Sequence, residues 1–123
     1  AFGDRPILVC LHHPPLPVGS TWLDGVGLRN ASELLAVVER YPTVRAVLGG
    51  HVHQAFEQQH GPALVLATPS TCAQFTPLTE HCVMDLRPPG YRWLELLPDG
   101  QVRTEVRWLQ DWEVAERPPD DRF

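Results

Sequence analysis

The sequence predicts an α/β fold, and three stretches carry that prediction. Residues 7–11 and 44–48 are short, almost uninterrupted apolar runs, each followed by histidine within a few residues. Apolar runs of this length bounded by turn residues read as buried strands. Between them, Leu34, Leu35 and Val38 recur at helical spacing, which gives one core-facing stripe. Near the end of the chain Val102, Thr104, Val106 and Trp108 alternate with Arg103, Glu105 and Arg107. That period belongs to a strand with one wet face.

Taken in order, residues 7–11 carry no charge, which predicts burial on both faces and makes Cys10 a small core residue. Residues 12–27 read as a loop. Pro14, Pro15 and Pro17 each lack an N–H and hold φ near −65°, so they end ladder pairing. Trp22, inside this loop, is expected to pack down on the domain. Asn30 suits an N-cap, and Glu33 three residues later can close a capping box. The helix should stop near Arg40, because Pro42 disfavours helical geometry at Tyr41. Strand, helix and strand then form a βαβ-like unit, expected to be parallel and right-handed. Gly49 and Gly50 let the backbone turn as the second strand ends. If the chain stays extended there, His51 and His53 project to one side.

Residues 54–59 and 63–67 read as two further strands joined at Gly61. Residues 68–77 lack periodicity and are expected to be a loop. The hydroxyls of Thr68, Ser70 and Thr71 can bond a substrate or serve local turn chemistry. Residues 82–86 suggest a short strand. Residues 91–97 and 101–109 read as a hairpin across Pro98, Asp99 and Gly100, since Asp-Gly suits a tight turn. Order is expected to about residue 112, with a charged, proline-rich tail over 113–123.

The chain has 123 residues, 43% of them hydrophobic, which fits one globular domain. All ten basic residues are arginine, and the net charge is −5. That balance argues against nucleic-acid binding, which wants a basic surface. Three cysteines without CxxC spacing argue against a disulfide framework or a zinc finger. No membrane-length apolar run is present, and a cytoplasmic home is the default expectation.

The histidines carry the chemistry. A strand followed by imidazoles at its C-terminal end occurs twice, at His12-His13 and at His51-Val52-His53. In open α/β sheets that end is where ligands bind. A lone His-X-His pair is most often a loop feature; two such stretches together point to a metal site. Three imidazoles without cysteine fit an open site better than the closed, cysteine-rich sites of structural zinc, although a non-catalytic metal-binding module is the alternative of another class. His60 and His81 read as surface histidines. The sequence contains no arrangement resembling a Ser-His-Asp triad or a phosphate-cradling glycine loop.

His12-His13-Pro14-Pro15 followed by Gly50-His51-Val52-His53 resembles the C-terminal motif pair of the calcineurin-like binuclear metallophosphoesterases. The resemblance is closer to the class III 3′,5′-cyclic AMP phosphodiesterase type through Trp22-Leu23-Asp24, Leu28-Arg29-Asn30-Ala31, Ala67-Thr68-Pro69-Ser70-Thr71-Cys72, Gln74-Phe75 and Pro89-Gly90-Tyr91-Arg92. It extends from about Pro6 to Leu109. The Asp-X-His and Gly-Asn-His stretches that such enzymes carry upstream are not in this sequence, and its Gly3-Asp4 does not stand in the context of their Gly-Asp. The expectation is therefore the C-terminal half of an αββα sandwich with mixed sheets, one main helix and a C-terminal hairpin.

The resemblance implies two divalent ions (Fe, Mn, Zn or Co), with His12 and His51 on one and His53 on the other. A hydroxide bridging the ions would attack phosphorus and convert cyclic AMP to 5′-AMP. A glycerophosphodiester or other small phosphodiester is the alternative substrate. The resemblance gives His13 no ligand role; it is substrate-adjacent, as Thr68, Ser70 and Thr71 could be. Without the upstream bridging carboxylate and leaving-group acid, no catalytic residue is expected within this chain, which alone should be inactive and bind one ion weakly or none. Cut from the rest, it should expose strand edges and form a homo-oligomer through them.

Overall fold

The computed structural model describes residues 3–109, so the tail expected over 113–123 lies outside the described residues. In chain order the elements are β1 (Ile7–Cys10), α1 (Thr21–Asp24), α2 (Ala31–Arg40), β2 (Val44–Gly49), β3 (Phe56–His60), β4 (Ala63–Ala67), β5 (Gln74–Phe75), β6 (Met84–Asp85), β7 (Gly90–Leu96) and β8 (Val102–Trp108). The chain is thus α/β with mixed sheets and few helices. One four-stranded sheet runs β1-β2-β4-β3, and two two-stranded sheets, β5-β6 and β7-β8, accompany it.

In the main sheet β1, β2 and β4 are parallel, and β3 returns antiparallel to β4. The parallel β1–β2 pair with α2 between them in sequence is the expected βαβ-like unit. Burial follows position. Central β2 and β4 keep Ala46, Val47, Val65 and Leu66 fully inside. Leu34 and Val38 of α2 pack onto the cluster of Val44, Val47, Ala63 and Val65. β1 lies at an edge, so its apolar run is only half-buried, and Cys10 is exposed instead of in the core. An apolar run reports that a strand is flanked, and cannot report whether the chain supplies the flank on both sides.

Three local expectations are corrected. The loop over residues 12–27 contains a one-turn helix, α1, whose Leu23 is buried. Asn30 holds the N-cap position of α2 but makes no side-chain cap bond. The supposed loop over 68–77 contains β5, which pairs with β6 through Gln74–Asp85 and Phe75–Met84; these pairings are too short to leave a period in the sequence.

The hairpin β7–β8 is as expected, with inward Val102, Thr104 and Val106 alternating with exposed arginines and Glu105. Its turn closes with Gly100 N–H donating to Leu97 O at 2.9 Å while Gly100 sits at φ +84°. That is a type I turn followed by a left-handed glycine. Arg92 joins the hairpin to the main sheet. Its side chain is 0% exposed and pairs with Glu57 at 2.6 Å. It also donates to Ala67 O, Phe56 O and Thr104 Oγ1. Arg92→Met leaves those acceptors without a donor and should cost about 2–4 kcal/mol, mostly through the carbonyls because Glu57 is half-exposed. Chemical denaturation measures this; a loss below about 0.5 kcal/mol, the usual surface value, contradicts it.

Candidate metal centre

The β1 and β2 ends meet because Gly49 has no side chain. A Cβ at Gly49 would lie 3.1 Å from Pro14 Cα and N and 3.2 Å from Pro14 Cβ. The proline strap therefore rests directly on the end of β2. Gly50 N–H donates to His12 O at 2.9 Å and locks the two strand ends together.

The turn after β2 differs from expectation. Neither Gly49 nor Gly50 takes a positive φ; His51 and His53 do, at 63° and 51°. Left-handed backbone is uncommon for residues with a Cβ, histidine being among those enriched there. The reason is Val52. It is 3% exposed and packs with Val18, Leu23 and Ala67 in a second small core. Driving Val52 inward turns its two neighbours outward. The histidines are thus not two rungs of an extended strand. Such backbone persists where the surroundings over-determine it, and it clusters at functional sites.

His12, His13 and His51 come together, with one ring nitrogen from each lying within 4.8 Å of the others. His51 Nδ1 is 3.2 Å from His12 Nε2. The His13 and His51 ring centroids are 4.2 Å apart. Burial, then the neighbouring His13, His12 and His53, hold the His51 imidazole below its ordinary pKa. The ring is therefore neutral at pH 7 and carries a lone pair. His51 Nε2 is buried without a hydrogen-bond partner among the described residues. Crowded imidazoles with an orphaned ring nitrogen are a donor set suited to Zn, Fe, Mn or Co. The residues present fit a divalent cation.

His53 stands apart from that trio. Its Nδ1 lies 2.8 Å from Ala73 O. A carbonyl only accepts, so the proton is on Nδ1 and the lone pair is on Nε2. Its ring stacks on Phe75 at 4.6 Å and 8°, and Trp22 meets Phe75 edge-on at 5.0 Å. A histidine with one nitrogen tied to a backbone carbonyl is the usual form of a metal-ligating imidazole.

Buried amides hold the surrounding loops. Gln74, fully buried, accepts from Ser70 N–H and donates to Ser70 O and Pro88 O. Ser20 Oγ, also fully buried, accepts from Gln54 Nε2 and from Leu78 N–H. Asp24 accepts from Val18 and Gly19 N–H groups, tying α1 to the proline strap. The hydroxyls of Thr68 and Ser70 are engaged locally, with Pro69 O and Cys72 N–H, and Thr71 is exposed. His60 is not a free surface residue: its Nε2 lies 3.0 Å from Glu39 Oε1. His81 is exposed. Sequence reasoning used Gln74 and Arg92 only as part of the resemblance and gave neither a structural role. Arg92 had a signal for one, since it shares the inward parity of Leu94 and Leu96.

Comparison with known proteins follows the same line. The chain is 46% identical over 109 residues to the 3′,5′-cyclic adenosine monophosphate phosphodiesterase CpdA of Pseudomonas aeruginosa, covering 89% of this chain and 40% of that protein. It is 46% identical over 108 residues to CpdA of Escherichia coli strain K12, covering 88% of this chain and 39% of that protein. A 3′,5′-cyclic-nucleotide phosphodiesterase of Nostoc sp. is 44% identical over 103 residues, 84% of this chain and 39% of that protein. The chain spans about two-fifths of the length of these curated relatives. No family model matches it.

Proposed function

On the premise that this chain is a homologue of the 3′,5′-cyclic-nucleotide phosphodiesterases, we propose that it supplies the C-terminal half of a two-metal phosphodiesterase acting on cyclic AMP. The carrying observation is the convergence of His12 and His51, with the orphaned His51 Nε2, on one end of a parallel sheet. His12 and His51 would hold one divalent ion and His53, through Nε2, the second. When bound, such ions supply positive charge to the phosphodiester and lower the pKa of water.

This chain's own residues do the holding. His51 stays neutral through burial and its imidazole neighbours. Ala73 O fixes the tautomer of His53, and Phe75 fixes its plane. His13, the third member of the trio, faces the same space, where a phosphodiester oxygen would approach. By the resemblance, a further carboxylate ligand and the proton donor to the leaving oxygen would come from residues outside this chain. The complete domain would be the αββα sandwich, with β1 paired along its free edge by a strand of the other half.

Chelator-sensitive hydrolysis of cyclic AMP by the full-length protein, with negligible turnover by residues 1–123 alone, is the expected result. Turnover by the isolated chain comparable to the full-length enzyme contradicts it. We also propose that the isolated chain self-associates through exposed strand edges, β1 being one edge of its main sheet. Sedimentation equilibrium at micromolar concentration should give a dimer or larger; a monodisperse monomer contradicts that.

A further inference from the structure

Two clefts open beside the histidine trio, and they share one wall. The first, of about 290 Å³, runs between the proline strap and the segment from α1 to the start of α2, with His51 at its end. The second, of about 510 Å³, lies between His13 and residues 25–30. Gly25, Gly27, Leu28 and Arg29 belong to both. The first volume is near the lower bound of about 300–1,000 Å³ for small-molecule sites.

The lining is unlike that of a site for phosphate alone. Pro14, Leu16, Val18, Leu23 and Leu28 make the walls apolar. Asp24, the carboxylate on that wall, spends its two oxygens on the Val18 and Gly19 N–H groups. Arg29 is exposed at the rim and makes no ion pair among the described residues, whereas Arg87, Arg92, Arg103 and Arg107 each pair with a carboxylate. Arg5 and Arg40 also make no ion pair among the described residues, and Arg29 differs from them in lining both clefts beside the imidazole cluster.

From this we infer that the shared cleft is the nucleoside subsite, and that Arg29 is its specificity-determining residue. The inference rests on the phosphodiesterase reading, which puts the phosphorus at the histidine trio. The flat apolar base lies along the proline and leucine walls, and the Arg29 guanidinium lies against the base. A planar guanidinium can stack on an aromatic face while its in-plane N–H groups donate to neighbouring oxygens such as those of a ribose or phosphate. Glycerol-sized ester groups have nothing to offer either wall, so the cleft selects a nucleoside ester over a glycerol ester.

The test compares 5′-AMP with inorganic phosphate as ligands of the full-length protein, by calorimetry, for wild type, Arg29→Gln and Ala31→Leu. Arg29 is exposed and makes no ion pair among the described residues, so its replacement does not threaten folding. Ala31 also lines the first cleft, and a leucine there fills it. Both variants should weaken 5′-AMP about tenfold or more and leave phosphate affinity within about twofold. Equal weakening of both ligands, unchanged 5′-AMP affinity, or a wild type that binds phosphate but not 5′-AMP each overturns the subsite. Turnover of bis(p-nitrophenyl) phosphate is read in parallel. Its absence in wild type overturns the phosphodiesterase reading, while the 5′-AMP to phosphate comparison still decides the cleft.

Discussion

His51→Ala in the full-length protein should lower cyclic AMP turnover by at least about 100-fold and reduce bound metal. The expectation follows from the position of the ring. It is the member of the trio whose Nε2 is buried without a partner, and it contacts both His12 and His13. Loss of a partner that only orients a ligand typically costs about 10–100-fold, and loss of the ligand itself should exceed that. Alanine also relieves crowding among the imidazoles, so the fold should survive. A circular dichroism spectrum and melting temperature near those of wild type, with the metal gone, identify the effect as local. His60→Ala is the control. His60 ends β3, at the opposite edge of the sheet from β1, with its Nε2 3.0 Å from Glu39, and the change should leave turnover within about twofold. Equal damage from the two substitutions contradicts the ligand assignment. The depressed pKa of His51 gives a sign for pH as well. The folded protein binds fewer protons at this ring than the unfolded chain does. This contribution is therefore present at neutral pH and above, and it is lost as pH falls through the ordinary imidazole range and below.

Gly49→Ala is the second large effect, and it separates geometry from chemistry because it removes no functional group. The new methyl would meet the Pro14 backbone at 3.1 Å, and a backbone segment cannot rotate away as a side chain can. The strap must shift, and it carries His12 and His13 with it. Overpacking of this kind costs about 1–3 kcal/mol. Metal affinity should fall about tenfold or more, since small displacements of a positioned group cost up to about 100-fold. Gly50→Ala is a matched comparison. Its Cβ would meet His12 O at 3.9 Å, an ordinary contact, and Gly50 has no positive φ. It should be nearly silent in both metal titration and thermal melting. If Gly50→Ala were the worse of the two, close approach of the strap would not be what assembles the site.

Much of the fold was legible in the residues. The parallel pairing of β1 with β2 followed from two apolar runs around one amphipathic helix, and the β7–β8 hairpin followed from alternation interrupted by Asp99-Gly100. What stayed hidden was non-local. Nothing in the run at residues 7–11 says that β1 has a neighbour on one side only, so Cys10 was read as buried. The left-handed backbone at His51 and His53 depends on where Val52 packs, and its partners Val18 and Leu23 lie some thirty residues upstream. The convergence of His12 with His51 was suggested by the repeated pattern of a strand followed by histidine. The entry of His13 into the trio was not, because two adjacent residues on one strand point to opposite faces and only the proline strap brings both rings to one side. Arg29 stood in the sequence only as part of a stretch that carries the resemblance, with nothing to place it beside the histidines.

The central claim is that these histidines ligate catalytic metal. It is tested most directly by a crystal of the full-length protein soaked in zinc and measured at the zinc absorption edge. The account predicts two anomalous peaks. One should lie within about 2.1 Å, the Zn–N bond length, of ring nitrogens of His12 and His51, and the other at the same distance from His53 Nε2. A single peak closed by four protein ligands, or no peak touching His12, His51 and His53, contradicts it.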